Sequence, residues 1–272
     1  MIFFCGWPLP LFASWLFNTT SVRDWSSDCM AAQKQDILVL GIEGPCSCDL
    51  RSFPGTTLAV NGESRVPKSR NMPSEAVVTG AHGLPFPYGA VEWINQNYTV
   101  FRGDISTFAV AYVNSNCVQV REDMVKNLSR IVEVHAYGKC TGNGTAIRKS
   151  FKDRHWTSVH NIYRGYAFAI GAEHGMTRNY VTEKPFAISA SGAIPIVLGD
   201  PLVYKYLNIK RLLTWGTQSP ETVVSEFLSN PSKLQAKRSL PVLNEDAFEE
   251  GRNMLRERLH RASRDRLSVL RY

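Results

Sequence analysis

The chain has 272 residues, 44% of them hydrophobic and 20% charged, which excludes a disordered or fibrous protein and suits one or two globular domains. The formal net charge is +7, and much of the excess lies in the arginine-rich stretch Arg252–Arg271. Leucines alternate with those arginines at helical spacing, which predicts an amphipathic helix with a solvated basic face. No helix-turn-helix, zinc-finger or RNP-like pattern is present, so a nucleic-acid partner is not expected.

The first apolar segment, residues 2–17, allows two interpretations. Pro8 and Pro10 interrupt it, no basic region precedes it, and it is shorter than the roughly 20 residues that span a membrane. The segment is either the remnant of a membrane anchor or a buried first strand, and the sequence favours neither.

Further along, short apolar runs alternate with segments of helical spacing. Strands are predicted at Asp36–Gly41, Thr57–Asn61, Phe108–Val113, Ile131–Tyr137, Tyr166–Gly171, Ala193–Leu198 and Arg211–Trp215. Helices are predicted at Arg121–Arg130, near Val181–Ser191 and from Ser219, and a loop at Pro67–Tyr88. This alternation predicts α/β domains with parallel sheets. We expect a domain at 1–104, a second at 105–244 and a C-terminal helix at 245–272, with the break near Arg102–Ser106.

Two cations follow predicted strands at the positions where doubly wound domains bind ligands. Arg121 ends the loop after the strand Phe108–Val113, and Lys184 lies near the start of the helix after Tyr166–Gly171. Unpaired N–H groups at helix starts favour anions, and a cation beside them can neutralise a diphosphate. Spacing alone leaves the alternative that both are ordinary surface cations.

Three carboxylates are candidates for acid–base chemistry. Glu63 ends a strand of the first half, and Glu173 and Glu183 come from the second half. A sugar transferase needs one base to take the proton of the acceptor hydroxyl, although Glu63 taken alone is more commonly a loop carboxylate. The histidines and cysteines show no metal-ligand spacing, and GxGxxG, Walker A and GxSxG motifs are absent. Metal, dinucleotide, P-loop and hydrolase sites are therefore not expected.

Four N-x-[ST] sequons occur, at Asn18, Asn97, Asn127 and Asn143. Such triplets also arise by chance, but four in a chain of this length favour a secretory lumen. Disulfides are allowed in that compartment.

Five motifs then follow one another along the second half of the chain. They are Ser115-Asn-Cys117 with Arg121, the strand Val132–Tyr137 with Gly138, the block of Tyr166, Phe168 and Glu173, the segment Tyr180-Val-Thr-Glu-Lys184, and Ile194-Pro-Ile-Val-Leu-Gly199. In this order they resemble the α-1,3/4-fucosyltransferases, glycosyltransferase family 10. The resemblance extends from about Asp36 to Leu259.

The resemblance implies an α/β GT-B fold, in which two Rossmann-like domains face each other across a cleft. It also implies an inverting, metal-independent transfer of fucose from GDP-fucose to a hydroxyl of a glycan or glycoprotein, with an α-1,3-type linkage and no obligatory cofactor. By position, the implied roles are diphosphate cations for Arg121 and Lys184, donor contacts for Glu173 and Tyr180, the carboxylate beside the fucose for Glu183, and the general base for Glu63. A Cys117–Cys140 disulfide and a lumenal Golgi enzyme of type II membrane topology are implied as well.

The chain departs from the family pattern at two places. The family usually has Phe-Glu-Asn-Ser where this chain has Ala172-Glu-His-Gly175, and an aspartate where this chain has Asn179. The first departure leaves open a catalytically impaired pseudoenzyme that keeps the fold. A transferase of the same fold with another nucleotide sugar is a further alternative, because sugar choice depends on few contacts.

Overall fold

A computed structural model describes most of the chain, and the text below concerns residues 1–6, 9–24, 31–41, 46–64, 76–81, 83–151, 158–216 and 220–269. The chain divides into two compact units. The first unit comprises Met1–Asn97, Thr177–Thr182 and Glu245–Tyr272, and the second unit comprises Tyr98–Met176 and Glu183–Asn244.

The first unit is built on a parallel sheet. Its described elements are β1 (Ile2–Gly6), α1 (Pro10–Phe17), β2 (Val22–Asp24), β3 (Ile37–Gly41), β4 (Thr56–Val60), β5 (Val77–Thr79) and α2 (Tyr88–Asn95). The strand order is β2-β1-β3-β4-β5, and all pairs are parallel. Apolar side chains of β3 and β4 are buried on both faces, as expected of interior parallel strands.

The N-terminal segment forms a strand and a helix in this unit. β1 pairs with both β2 and β3, and a disulfide joins Cys5 to Cys46. α1 begins at Pro10, whose fixed φ suits the first helical turn, and ends at Asn18 in the left-handed conformation. No helix within the described residues is both long and apolar enough to cross a membrane.

The second unit holds a second parallel sheet. Its elements are β6 (Thr107–Asn114), α3 (Gln119–Leu128), β7 (Val134–Gly138), β8 (Ile147–Lys149), α4 (Val159–Tyr163), β9 (Tyr166–Ala172), α5 (Lys184–Ala190), β10 (Ile194–Leu198), α6 (Val203–Tyr206), β11 (Leu213–Thr214), α7 (Pro220–Ser229) and α8 (Pro231–Ser239). The described strands follow the order β11-β10-β9-β6-β7-β8. A core of Val110, Tyr112, Phe168, Ile170 and Ile196 packs on one face of this sheet.

Two predicted strands are shorter than expected. The prediction Ile131–Tyr137 is too long at its start, because the N–H groups of Ile131 and Val132 donate to Leu128 O at the end of α3. The prediction Arg211–Trp215 shrinks to β11, because Arg211 closes a 3-10 helix instead. In both cases the neighbouring helix end takes the hydrogen-bonding groups that a longer strand needs.

Two other elements differ from the sequence predictions. The predicted loop Pro67–Tyr88 contains the edge strand β5, and its residues 67–75 lie outside the described part. The helix predicted near Val181–Ser191 begins at Lys184, because Thr177–Thr182 belongs to the first unit. Ser219, predicted to start a helix, lies outside the described residues.

The boundary between the units lies between Asn97 and Tyr98 rather than near Arg102–Ser106. The N–H of Phe101 donates to Ala190 O at 2.7 Å, and Arg238 Nη2 donates to Gly103 O at 3.0 Å. These bonds tie the segment before β6 to the second unit.

The C-terminal arginine-rich stretch is helical, as predicted, and forms α9 (Glu245–Val269). It is not a separate segment at 245–272, because it belongs to the first unit. Leu255 and Leu259 are buried, and the Arg252 guanidinium lies 5.4 Å from the centre of the Trp15 ring. Part of the basic face therefore packs on α1 through a cation–π contact instead of facing water.

Candidate active site

Arg121 is a buried cation in the first turn of α3, just beyond the end of β6. Its side chain is only 2% exposed. Nε donates to Ala172 O at 2.9 Å, and Nη1 donates to Asn114 Oδ1 at 2.9 Å and to Asn116 O at 3.3 Å. Nη2 is buried and has no hydrogen-bond acceptor within the described structure. A buried guanidinium with an unused donor is costly unless an anion compensates it, so this residue is suited to an anionic ligand.

Hydrogen bonds of Tyr112 and Glu122 hold the helix turn that carries Arg121. Tyr112 OH donates to Glu122 Oε1 at 2.9 Å, and Glu122 Oε2 accepts from the N–H groups of Thr141 and Asn143 at 3.3 and 3.0 Å. Burial, and next the bond to Glu122, raises the pKa of Tyr112, so its phenol stays protonated and donates. These bonds fix the start of α3 to the loop after β7.

A disulfide reinforces the same connection. Cys117 in the loop before α3 is joined to Cys140 after β7, the pairing that the family resemblance implies. Among the described residues, Cys117, Glu122 and Cys140 form the one group close enough to hold a metal ion. Because both sulfurs are in the disulfide, they cannot act as thiolate ligands.

Lys184 and Glu183 lie side by side at the start of α5. Lys184 Nζ is 3.3 Å from Glu183 Oε1, and the two side chains are 21% and 29% exposed. Burial favours the neutral amine, but the carboxylates of Glu183 and Glu173 outweigh it and raise the pKa of Lys184. Lys184 is therefore a cation at neutral pH, and the same interactions place Glu173 and Arg121 within its electrostatic reach.

Glu173 directly follows β9 and is 3% exposed. Its N–H donates to Leu198 O at 2.7 Å, which joins the carboxyl ends of β9 and β10. A Cβ at Gly199 would lie 2.9 Å from Glu173 Cγ, so glycine at that position leaves room for the glutamate. Arg121, Glu173, Glu183 and Lys184 thus come together at one edge of the second sheet.

Tyr163, at the end of α4, is a residue that the sequence predictions missed. Its side chain is fully buried. Burial raises the pKa of its hydroxyl, and the negative charge of Glu183 adds to the effect, while Arg121 opposes it. Ala109 and Ala111 on β6 pack in the same cluster as Tyr163. These two small side chains are the sequence signal that could have indicated room for a large ring beside β6.

The altered block Ala172–Gly175 holds Arg121 through its main chain. Ala172 contributes its carbonyl oxygen to Arg121 Nε, a contact that does not depend on the side chain. A Cβ at Gly175 would meet open space, so packing does not require glycine there. The departure from the family pattern therefore leaves the arginine contact intact.

Asn179 has a structural reason to differ from aspartate. Its φ is +60°, a conformation that asparagine tolerates, and its Nδ2 donates to Gly83 O at 2.9 Å. An ionised aspartate could not donate that bond. The next residue, Tyr180, is 4% exposed, and its N–H donates to Thr177 O. Both residues belong to the first unit, whereas Arg121, Glu173, Glu183 and Lys184 belong to the second.

Glu63 also belongs to the first unit, where it follows β4 and is exposed. Its N–H donates to Asn61 Oδ1 at 3.0 Å, and Asn61 Nδ2 donates to Ala81 O at 3.4 Å. Gly62 packs against the ring of Tyr88, and a Cβ at this position would lie only 3.1 Å from the ring. These contacts hold the turn that presents the Glu63 carboxylate to solvent.

The sequons of the predicted N-glycosylation sites lie in different surroundings. Asn18, Asn97 and Asn143 are exposed and have positive φ in turns, whereas Asn127 lies half-buried within α3. A loop or turn is the usual setting of a glycosylated asparagine. Asn127 is therefore the least favourable of the four predicted sites.

Each of the two units has a parallel sheet connected by helices, which is the architecture of the GT-B fold, and the fold prediction is confirmed. Residues 106–210 match the family model described as glycosyltransferase family 10 (fucosyltransferase), C-terminal part. Residues 106–210 are therefore similar to the C-terminal part of the family-10 fucosyltransferases, and the resemblance that the motifs indicated is confirmed.

Individual relatives match about half of the chain or less, at low sequence identity. The chain is 31% identical over 133 residues to GDP-fucose protein O-fucosyltransferase 3 of Xenopus laevis, which covers 47% of this chain and 26% of that protein. It is 25% identical over 125 residues to alpha-(1,4)-fucosyltransferase of Arabidopsis thaliana, covering 42% of this chain and 31% of that protein. The chain thus spans less than a third of the length of either relative.

A solved structure of an alpha1,3-fucosyltransferase superposes with a TM-score of 0.60 at 13% identity, covering 88% of this chain and 81% of that one. At this identity the likeness establishes the fold alone.

Proposed function

We propose that this chain is a fucosyltransferase that moves L-fucose from GDP-fucose to a hydroxyl of a glycan or glycoprotein acceptor. The observation that carries the proposal is the buried Arg121 guanidinium, whose Nη2 lacks an acceptor, close to the Lys184 ammonium. Two such cations can neutralise a leaving diphosphate without a metal ion. The family match at residues 106–210 makes GDP-fucose the preferred donor.

In this proposal the second unit binds the diphosphate and the sugar of the donor. Arg121 and Lys184 hold the diphosphate, and Glu183 lies beside the fucose ring. Glu173 supports Lys184 through its charge. Tyr180 contributes a nucleotide contact.

The proposed chemical step is a single inverting displacement. Glu63 takes the proton of the acceptor hydroxyl, and the oxygen attacks the anomeric carbon of fucose as the bond from that carbon to the β-phosphate oxygen breaks. GDP leaves with the electron pair of that bond, and the developing negative charge is stabilised by Arg121 and Lys184. An α-1,3-type linkage is the product that we propose for a glycan acceptor.

A second acceptor class is favoured by one finding. The relative at 31% identity is named a protein O-fucosyltransferase, while the relative at 25% is named an alpha-(1,4)-fucosyltransferase. Transfer to a serine or threonine hydroxyl of a protein is therefore the alternative to transfer to a sugar hydroxyl. The donor site is the same in both cases.

The test is a transfer assay with radiolabelled GDP-fucose and three acceptors: N-acetyllactosamine, an N-glycan core, and a folded protein domain rich in serine and threonine. Each reaction is run with and without EDTA. We expect product with at least one acceptor and no effect of EDTA, and the labelled acceptor identifies the class. Loss of transfer in EDTA would contradict the metal-independent step.

The pseudoenzyme alternative gives a different result in the same assay. Donor binding without turnover would raise the unfolding temperature in GDP-fucose but give no labelled product with any acceptor. The retained Arg121 contact to Ala172 O supports the active enzyme. A donor preference test with GDP-fucose, GDP-mannose and UDP-galactose separates the remaining alternative of another nucleotide sugar.

We also propose that the protein resides in the secretory pathway, in the Golgi lumen. The disulfides Cys5–Cys46 and Cys117–Cys140 support an oxidising compartment. Exposed sequons at Asn18, Asn97 and Asn143 support the same placement. A drop in mass after enzymatic removal of N-glycans from the cell-expressed protein tests it, and an unchanged mass together with reduced cysteines would contradict it.

A further inference from the structure

A cavity of about 70 Å³ lies in the second unit. It is at the opposite ends of the strands from Arg121 and Glu173, which lie beyond the carboxyl ends. Its lining includes Gly192, which precedes β10, and Arg211, which precedes β11. The cavity is therefore at the amino ends of these parallel strands. One water occupies about 10–15 Å³ on a comparable measure, so the space admits a small polyatomic ligand.

Arg211 lines this cavity and is 1% exposed. Its Nε donates to Arg238 O, its Nη1 to Ala193 O and its Nη2 to Gly192 O, each at 3.3 Å. These bonds orient the guanidinium but use one N–H on each terminal nitrogen, and each terminal nitrogen carries a second N–H.

Arg238 on α8 is a second buried guanidinium in the same lining, 9% exposed. Its Nε donates to Gly192 O at 3.0 Å, its Nη1 to Gln235 Oε1 at 3.2 Å and its Nη2 to Gly103 O at 3.0 Å. Gly192 has a φ of +84°, and a Cβ there would lie 2.4 Å from Phe101 O. Glycine is therefore required where the two arginines converge.

The lining of this cavity contains three arginines, Arg102, Arg211 and Arg238, and no carboxylate. Burial, and then the nearby Arg238 and Arg102, lowers the pKa of Arg211 to about 10. Burial and the charge of Arg211 also lower the pKa of Lys237. Asp104, which favours the charged form of Arg238, is exposed. Within the described part of the chain, neither Arg211 nor Arg238 forms an ion pair with a carboxylate.

We propose that this cavity binds a tetrahedral oxyanion, phosphate or sulfate, either free or as an ester on a sugar, through Arg102, Arg211 and Arg238. Planar guanidinium groups match the oxygens of such an anion and form strong charge-assisted hydrogen bonds with them. An anion at this position would offset the mutual repulsion of the arginines. The site is independent of the proposed transfer reaction and of the donor diphosphate.

The test is thermal unfolding of the full chain during titration with inorganic phosphate, inorganic sulfate and N-acetylglucosamine 6-sulfate, with sodium chloride at equal ionic strength as the reference. We expect a saturable rise of the unfolding temperature, about 2–3 °C at a concentration about tenfold above the dissociation constant. Tighter binding of the sugar sulfate than of free sulfate identifies a glycan ester as the ligand, and equal binding identifies the free anion.

Three variants locate the site. Arg102→Gln changes an exposed side chain of the lining and should weaken the oxyanion about tenfold, the effect of one charge-assisted contact. Gln235→Glu places a carboxylate 3.2 Å from Arg238 Nη1 and should remove the saturable rise by taking the place of the anion. Arg148→Gln, an exposed arginine on β8 outside the cavity, is the matched control and should leave the rise unchanged.

Lys184→Met separates this site from the donor site, which is itself expected to bind phosphate. A rise that persists in Lys184→Met and disappears in Gln235→Glu belongs to the cavity. The proposal would be overturned if wild type shows no saturable response beyond that of sodium chloride. It would also be overturned if Arg102→Gln and Gln235→Glu respond like wild type, which would leave the arginines with only the role of joining α8 to the end of α5.

Discussion

At the residue scale, Arg121 shows how a charged side chain can be both buried and available to a ligand. Three acceptors bind Nε and Nη1 of its guanidinium, and the third nitrogen, Nη2, has no acceptor in the described structure. The sequence identified the residue by its place after a strand, but not its burial. Burial results from Asn114, Asn116 and Ala172, whose oxygens come together only in the folded sheet.

Replacing Arg121 by lysine tests this arrangement. Arg121→Lys keeps the charge, but an ammonium cannot reach Asn114 Oδ1 and Ala172 O together, since they bind different nitrogens of the guanidinium. We expect GDP-fucose affinity to fall about tenfold and unfolding free energy to fall by about 1–3 kcal/mol. Calorimetric titration and chemical unfolding measure the two effects. Arg130→Lys, at an exposed position just after α3, is the control, and equal behaviour of the two variants would contradict the assignment.

Glu63 is assigned a different role, and its variant should change a different constant. Glu63→Gln removes the proposed base while keeping the size of the side chain, so kcat should fall by about 10²–10⁴-fold with little change in the KM for GDP-fucose. Steady-state kinetics at saturating acceptor measure both. Glu257→Gln on the exposed face of α9 is the control. A normal kcat in Glu63→Gln would eliminate this residue as the base.

At the element scale, the loop before α3 depends on the Cys117–Cys140 disulfide. Asn116 O and Val118 O both accept hydrogen bonds from Arg121, so the disulfide lies within the segment that positions this cation. The paired cysteines are 23 residues apart. Closing a loop of this size contributes about 3 kcal/mol in the chain-entropy model.

Removing that disulfide should therefore affect both stability and donor binding. The double variant Cys117→Ser/Cys140→Ser is expected to lose about 3 kcal/mol of unfolding free energy and to bind GDP-fucose less tightly. The matched control is Cys5→Ser/Cys46→Ser in the first unit, which should lose stability without a change in donor affinity. Unchanged donor affinity in the first double variant would show that the disulfide does not position Arg121.

A second element-scale feature spans β7 and β9. His135 Nδ1 is 2.6 Å from Tyr166 OH, Tyr137 OH is 2.8 Å from Tyr166 OH, and His135 Nε2 contacts the Glu133 carboxylate. The hydrogen bond from His135, and next its charge, lowers the pKa of Glu133 below the ordinary 4.5. The contribution of this contact is therefore present above that ordinary pKa and is lost as pH falls through the lowered one.

Glu133→Gln should consequently make stability less dependent on pH in the acidic range. Between pH 6 and pH 3, about 1.5 units either side of the ordinary carboxyl pKa, the unfolding temperature of wild type should fall further than that of Glu133→Gln. Thermal unfolding across this range measures the difference. Asp123→Asn, an exposed acid on α3, is the control and should follow wild type. A wild-type slope in Glu133→Gln would contradict the proposed linkage.

At the scale of the whole molecule, the sequence predicted where strands and helices lie better than it predicted which of them pack together. Most strand predictions were correct to within a few residues, because continuous apolar runs such as Ile37–Gly41 are typical of interior parallel strands. Helical spacing also predicted α9, but periodicity defines a buried face and does not say what covers it. The return of α9 to the first unit, against Trp15 and Leu16, is a long-range contact that spacing cannot encode.

The candidate site was likewise predicted only in part. Motif order indicated Arg121, Glu173, Glu183 and Lys184, which the structure brings together in the second unit. It did not indicate Tyr163, because a buried tyrosine on a short helix has no motif of its own. Asn179 departs from the family-10 pattern because its side chain donates to the carbonyl of Gly83, a residue far away in the sequence, so the sequence alone could not explain the difference.

The central claim, that the second unit binds GDP-fucose through Arg121 and Lys184, is tested most directly by calorimetric titration of GDP-fucose into wild type, Lys184→Met and Lys126→Met. Lys126 is exposed on α3 and provides a matched loss of charge. We predict saturable one-to-one binding by wild type and Lys126→Met, and at least about tenfold weaker binding by Lys184→Met, in which a cation that faces the diphosphate is missing. Absence of binding by wild type, or equal affinity in all three proteins, would contradict the account.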